Sequence, residues 1–192
     1  MLRRVKVLIV VPENNTTMEP EISALCPALA PIAVARVKRP ARTLQLEDLP
    51  AYAEATLDAI APVAAEPWDL VIYGCTAAGF LGGPNSDARM VERLRERTRA
   101  IVVSTAGAMI DALRSTGVSE TAVVTPYLQA VNDGLRLYLE SSGIQVETLN
   151  SFFCKTTAEL GIPVWSSIQA TAWAGAAALT NHGLTVPFNQ AA

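Results

Sequence analysis

The chain has 192 residues, 51% of them hydrophobic, 17% charged and 6% aromatic, with a formal net charge of -3. A chain this rich in apolar and poor in charged residues buries a core, which excludes disorder, and its slight negative charge gives it no general attraction for nucleic-acid backbones or anionic membranes. Its longest apolar stretches fall short of the roughly 18 residues a membrane span needs, and three scattered cysteines with one histidine make neither a disulfide framework nor a zinc site.

The elements follow in chain order. Residues 5–11 form an apolar run that ends at Pro12-Glu13-Asn14-Asn15; it is too short for a secretory signal and reads as a buried first strand. Further β-rich runs lie at 32–37, 69–74, 101–103, 121–124 and 144–149, with helical patterns at 47–65, 87–99, 106–115, 128–142 and 169–179. Runs apolar on both faces and separated by amphipathic helices are what a mainly parallel sheet flanked by helices produces, so the fold class is α/β. Ligands of such sheets sit outside the carboxyl ends of the strands, which makes the residue after each run the one to inspect.

Two strand ends share a form: Val11-Pro12 before a polar helix start, and Thr125-Pro126 before another, 114 residues later. Cys75 and Cys154 each follow an apolar run, and Ser104 and Ser166 each precede an Ala-rich helix, so both halves read strand-Pro, cysteine, strand-Ser. The spacings differ: Pro12 to Cys75 is 63 residues but Pro126 to Cys154 only 28, and Cys75 to Ser104 is 29 but Cys154 to Ser166 only 12. The second half is thus short by 52 residues, and Asn150 to Leu160 is too short to hold a return helix, a strand carrying Cys154 and another helix. Segments missing near Ser151 to Phe152 and near Cys154 to Lys155 are expected. The domains expected are a first lobe at 1–104, with part of the 105–118 helix returning near it, a second lobe at 119–180 and a C-terminal tail at 181–192.

Cys75, in Tyr73-Gly74-Cys75-Thr76-Ala77-Ala78-Gly79, ends a strand and opens a helix of small residues, a setting that lowers a thiol's pKa and binds a carboxylate; a buried free cysteine is also a common packing residue. Cys26 has no such context. Asn14 and Asn15 serve either as caps of the first helix or as neutral donors to a carboxylate. Tyr127 is either a core ring or a phenol donor at a strand end. Ser104, Thr105, Ser166 and Ser167 are open between caps and ligand donors. The arginines of 89–99, interleaved with Glu92 and Glu96, read as a solvated face, and His182 lies in a polar tail. No glycine-rich nucleotide motif occurs.

The segments Val11 to Glu19, Tyr73-Gly74-Cys75-Thr76, Thr125-Pro126-Tyr127 and Val164 to Thr171 together resemble the maleate cis-trans isomerase and arylmalonate decarboxylase branch of the Asp/Glu racemase superfamily. The resemblance implies two similar α/β lobes with the active site in the cleft between them, no cofactor, and a homo-oligomer. It implies Cys75 and Cys154 as the catalytic pair, with Asn15 and Tyr127 as substrate-positioning groups; Pro12, Asn14, Thr76, Ala77 and Ser104, at or near the strand ends, are the further substrate contacts expected. Glu13 stands where family members often carry serine, and beside a dianion it would repel unless turned away.

The expected activity is a cytoplasmic, cofactor-independent isomerisation of a small dicarboxylate, maleate to fumarate, by thiolate addition, bond rotation and elimination. The alternatives are a two-cysteine amino-acid racemase, an arylmalonate-type decarboxylase, in whose branch glycine replaces the first cysteine, and a catalytically silent carboxylate-binding protein.

Overall fold

A computed structural model describes residues 4–39, 44–151 and 166–188. Its elements are β1 (Val7–Pro12), α1 (Met18–Leu25), β2 (Ile32–Val37), α2 (Leu49–Ile60), β3 (Leu70–Tyr73), α3 (Thr76–Leu81), α4 (Pro84–Thr98), β4 (Ile101–Ser104), α5 (Thr105–Ser115), β5 (Glu120–Thr125), α6 (Gln129–Ser141), β6 (Gln145–Ser151) and α7 (Ser167–Asn181). The α/β reading holds, and each expected strand run coincides with an observed strand.

The first sheet is parallel with order β2-β1-β3-β4. All six residues of β1 are buried, because helices cover both faces of the strand. Leu8, Val10, Val71 and Tyr73 point to one side, against Tyr52, Leu57 and Ile60 of α2 and Met90 and Leu94 of α4. Val7, Ile9, Leu70 and Ile72 point to the other, against Met18 and Ile22 of α1 and Ala172, Ala176 and Leu179 of α7. This two-residue alternation is the strand period, and each large aliphatic side chain fully buried there contributes about 1.5–3 kcal/mol of hydrophobic stabilisation.

β5 and β6 pair in parallel as a second sheet, with a register shift between Thr121 and Ala122. Val146, Val123 and Leu149 pack on Val131, Leu135, Tyr138 and Leu139 of α6, and this core continues into Phe80 of α3 and Ile110 of α5. α3 and α5 therefore join the two sheets.

The stretch expected as a second lobe, 119–180, divides in space. Its last helix, α7, lies on the first sheet, and so do Leu184, Val186 and Phe188 from the expected tail. The reason is side-chain size. One stripe of α7, Ala170 and Ala174, meets Ala108 and Ala112 of α5, while Gly175 lies so close to Leu70 that an added Cβ would sit 3.0 Å from its Cδ2. Residues this small let the helix settle against both neighbours.

Candidate active site

Because the strands of the first sheet are parallel, their carboxyl ends share one edge. The register sets Val10 level with Tyr73 and Pro12 level with Val37, which brings Pro12, Arg39 and Cys75 to that edge on three adjacent strands. The end of β5 supplies Pro126 and Tyr127 from the other side. Together they line a cleft of about 440 Å³. Pro12, Asn14, Asn15, Cys75, Thr76, Ala77 and Tyr127, all expected from the sequence, line it, joined by Arg39, Leu44 and Leu128.

Cys75 is 6% exposed, a free thiol directly before α3. Gly74 makes this placement possible: its N–H donates to the Val10 carbonyl at 2.8 Å, and an added Cβ would lie 2.5 Å from Met18 Sδ and 2.7 Å from Val11 Cγ1. The expected lowering of the thiol pKa is corrected. Burial pushes the Cys75 thiol up, against the opposing pull of the Tyr52 hydroxyl, the Ala78 N–H and the Arg39 charge. With only six residues, α3 provides too little helix to reverse the cost of burying a charge.

Asn15 is fixed by its own carbonyl oxygen, which accepts from the Thr17 N–H at 3.2 Å and the Met18 N–H at 3.0 Å. It thus caps α1 and still has its amide N–H groups for the cleft. Tyr127 is held by a local knot: Thr125 Oγ1 donates to Asn132 Oδ1 at 2.6 Å and accepts from the Tyr127 N–H at 3.1 Å. The Tyr127 ring tilts 59° against Phe80 with centroids 5.8 Å apart. Burial, and then the nearby Cys75 sulfur, push its pKa up, with Arg39 opposing, so it remains a phenol donor.

Arg39 was not expected from the sequence. It follows β2 and reaches the cleft, with its Nε buried and without a hydrogen-bond partner. No carboxylate pairs with its guanidinium among the described residues. Glu13 is exposed and does not line the cleft; its Oε1 accepts from the Arg39 backbone N–H at 3.3 Å. The anticipated repulsion of a dianion is thereby removed.

Ser104 faces away from the cleft. Its hydroxyl donates to Asp87 Oδ2 at 2.5 Å and accepts from the Gly107 N–H at 3.0 Å, capping α5. Ser166 likewise caps α7, in a capping box with Gln169. Asp87 is 5% exposed with Oδ1 unpartnered, and burial raises its pKa against hydrogen bonds from Ser104, Tyr138 and the Gly107 N–H. A carboxyl whose folded pKa is raised contributes stability below its unfolded pKa and loses it as pH rises through the folded value. Thermal melts should therefore show stability falling from about pH 4 upward, and Asp87→Asn should flatten that fall; an unchanged profile would disprove the assignment.

Cys154 lies outside the described residues, as do both expected breaks in the chain.

A family model for arylmalonate decarboxylase matches residues 8–158. The chain belongs to the arylmalonate decarboxylase family. Within it, the maleate isomerase of Nocardia farcinica is 26% identical over 171 residues, covering 85% of this chain and 68% of that protein, which is longer than this one. The maleate isomerase from Pseudomonas putida S16 shares the fold with a TM-score of 0.77 at 24% identity, over 95% of each chain. A mutant of the Nocardia farcinica maleate cis-trans isomerase with a covalently bound succinylcysteine intermediate superposes with a TM-score of 0.69 at 25% identity, over 88% of this chain and 72% of that one. Among the described residues, no group of His, Cys, Asp and Glu could hold a metal ion, and no helix is long and apolar enough to cross a membrane.

Proposed function

We propose that this family member is a cofactor-independent cis-trans isomerase that converts maleate to fumarate through its Cys75 thiolate. The observation that carries this reading is a buried thiol in a cleft that is also lined by an arginine with no carboxylate partner among the described residues, a phenol and asparagine amides. Such a lining suits a small dianion, and the succinylcysteine in the Nocardia farcinica enzyme is the product of adding a thiolate to maleate.

The steps follow from the groups present. The Cys75 thiolate forms a C–S bond to one alkene carbon, and the alkene π electrons move to the adjacent carbon and its carboxylate as an enediolate. Arg39, with the Tyr127 hydroxyl and the Asn15 amide, holds the carboxylates and the developing charge. Cys154 donates a proton to the carbanionic carbon. The former double bond, now single, rotates. Cys154 takes the proton back, the double bond re-forms in the trans geometry, and Cys75 leaves as thiolate. Atoms and electrons balance with no external reductant or oxidant.

The test is proton NMR of the protein with maleate, aspartate, glutamate and an arylmalonate in separate tubes of deuterated buffer. The maleate resonance should give way to that of fumarate. Deuterium entering an amino acid while maleate persists would replace the isomerase by a racemase, and release of carbon dioxide from the arylmalonate would replace it by a decarboxylase.

A further inference from the structure

Tyr52 has no role in the steps above, and its environment is unusual. It lies in α2, is 3% exposed, and its hydroxyl is buried without a hydrogen-bond partner. An orphaned buried hydroxyl costs about 1–3 kcal/mol, and native structures carry few of them. Phenylalanine would fill the same space without that cost, so packing alone does not account for the oxygen.

Its neighbours do account for it. Tyr52, Tyr73 and Cys75 belong to one packed cluster of buried residues. Tyr52 also borders a second cavity of about 290 Å³, lined by Tyr73, Ala78, Arg89 and Arg93, whereas Cys75 lines the substrate cleft. The Tyr52 phenol thus shares a packed cluster with Cys75 without itself lining the substrate cleft. A neutral thiol is a poor acceptor, whereas a thiolate accepts strongly.

We propose that Tyr52 is a positioning residue: its hydroxyl donates to the Cys75 sulfur when that sulfur is a thiolate, holding the nucleophile ionised and aimed into the cleft. The hydroxyl lacks a partner in the thiol state because its acceptor is created by ionisation. Contact between the two groups is also felt in their acidities, since the phenol opposes the upward push of burial on the Cys75 thiol, and burial, then the sulfur, drive the phenol itself far upward. Tyr52 therefore donates a hydrogen bond and keeps its proton. The other titratable groups facing Cys75 are Tyr73 from its own strand, Tyr127 from the end of β5 and Arg39 from the end of β2, with the Ala78 N–H as a fixed donor; Asp87 acts one step away, on Tyr73.

This role rests on Cys75 being the attacking group, and its test does not require turnover of maleate. The rate of Cys75 alkylation by iodoacetamide is followed against pH by peptide mass spectrometry in the parent protein and in Tyr52→Phe. Loss of the donor should move the midpoint of the Cys75 profile upward by about one pH unit, a tenfold lower rate at neutral pH. The melting temperature should be unchanged or higher, because an unpartnered hydroxyl has been removed, and kcat with maleate should fall by a similar factor while KM stays within about twofold. A structural tyrosine would give the opposite pattern, a lower melting temperature with superimposable alkylation profiles, and that result overturns the proposal. A shifted profile in a protein that makes no fumarate would uphold the role of Tyr52 and overturn the isomerase reading alone.

Discussion

Replacing Cys75 by alanine should lower the rate of fumarate formation by at least about 10³-fold, the scale expected when a covalent nucleophile is lost. The loss should appear in kcat, because the groups on the cleft rim remain to bind substrate. Stability should change little near neutral pH, as only a buried sulfur is removed. The pH dependence is more specific. Burial raises the thiol pKa, so kcat/KM of the parent should climb with pH through a value above that of an ordinary cysteine. The same shift bears on folding: a thiol with a raised folded pKa contributes stability below its unfolded pKa and loses it as pH rises through the folded value. Cys75→Ala should therefore lose less stability between about pH 8 and pH 10 than the parent. A variant that retains full activity would end the proposed mechanism.

Arg39→Gln should lower kcat/KM for maleate by about 30-fold to several thousandfold, the equivalent of the roughly 2–5 kcal/mol at stake when one partner of a desolvated charge pair is removed. Most of the loss should lie in KM, since the guanidinium meets a carboxylate present in substrate and transition state alike. A smaller part should lie in kcat at low pH, because Arg39 also favours the Cys75 thiolate. Arg39→Lys should recover only part of the loss, since an ammonium lacks the planar fork that grips a carboxylate through two hydrogen bonds. Stability should be unchanged or improved in Arg39→Gln. A half-buried cation with an unpartnered Nε costs the apo protein free energy and is repaid only by an anion. If substrate affinity is unaltered in both variants, Arg39 is not the carboxylate clamp.

Much of this arrangement was legible in the sequence because it follows from strand period and strand ends. The runs at 5–11 and 69–74 are apolar on both faces, and the sheet buries both faces. Pro12, Asn15, Cys75 and Tyr127 were chosen as residues that follow strands, and a parallel sheet sends such residues to one edge. Arg39 obeys the same rule after β2, yet Arg36, Lys38, Arg39 and Arg42 stand close together and nothing local shows which of them turns inward. Tyr52 in a helix reads as an ordinary core aromatic until its missing hydrogen bond is seen.

The departures also have physical causes. Ser104 is a good ligand donor by position, but Asp87, 17 residues earlier, engages its hydroxyl. The sign of the Cys75 shift depends on how deeply the sulfur is buried, which no local motif encodes. The place of α7 is set by alanines on two of its stripes, matched by α5 and the first sheet; its resemblance to the segment after β4 carries no information on which sheet receives it.

The central claim is a covalent bond between Cys75 and the substrate. Protein turning over maleate is quenched in acid within its steady state, digested, and the cysteine peptides are read by tandem mass spectrometry. A succinyl adduct on the Cys75 peptide, absent without maleate and absent from Cys26, is the predicted result. Fumarate formation with Cys75 unmodified, or with the adduct on another residue, would contradict it.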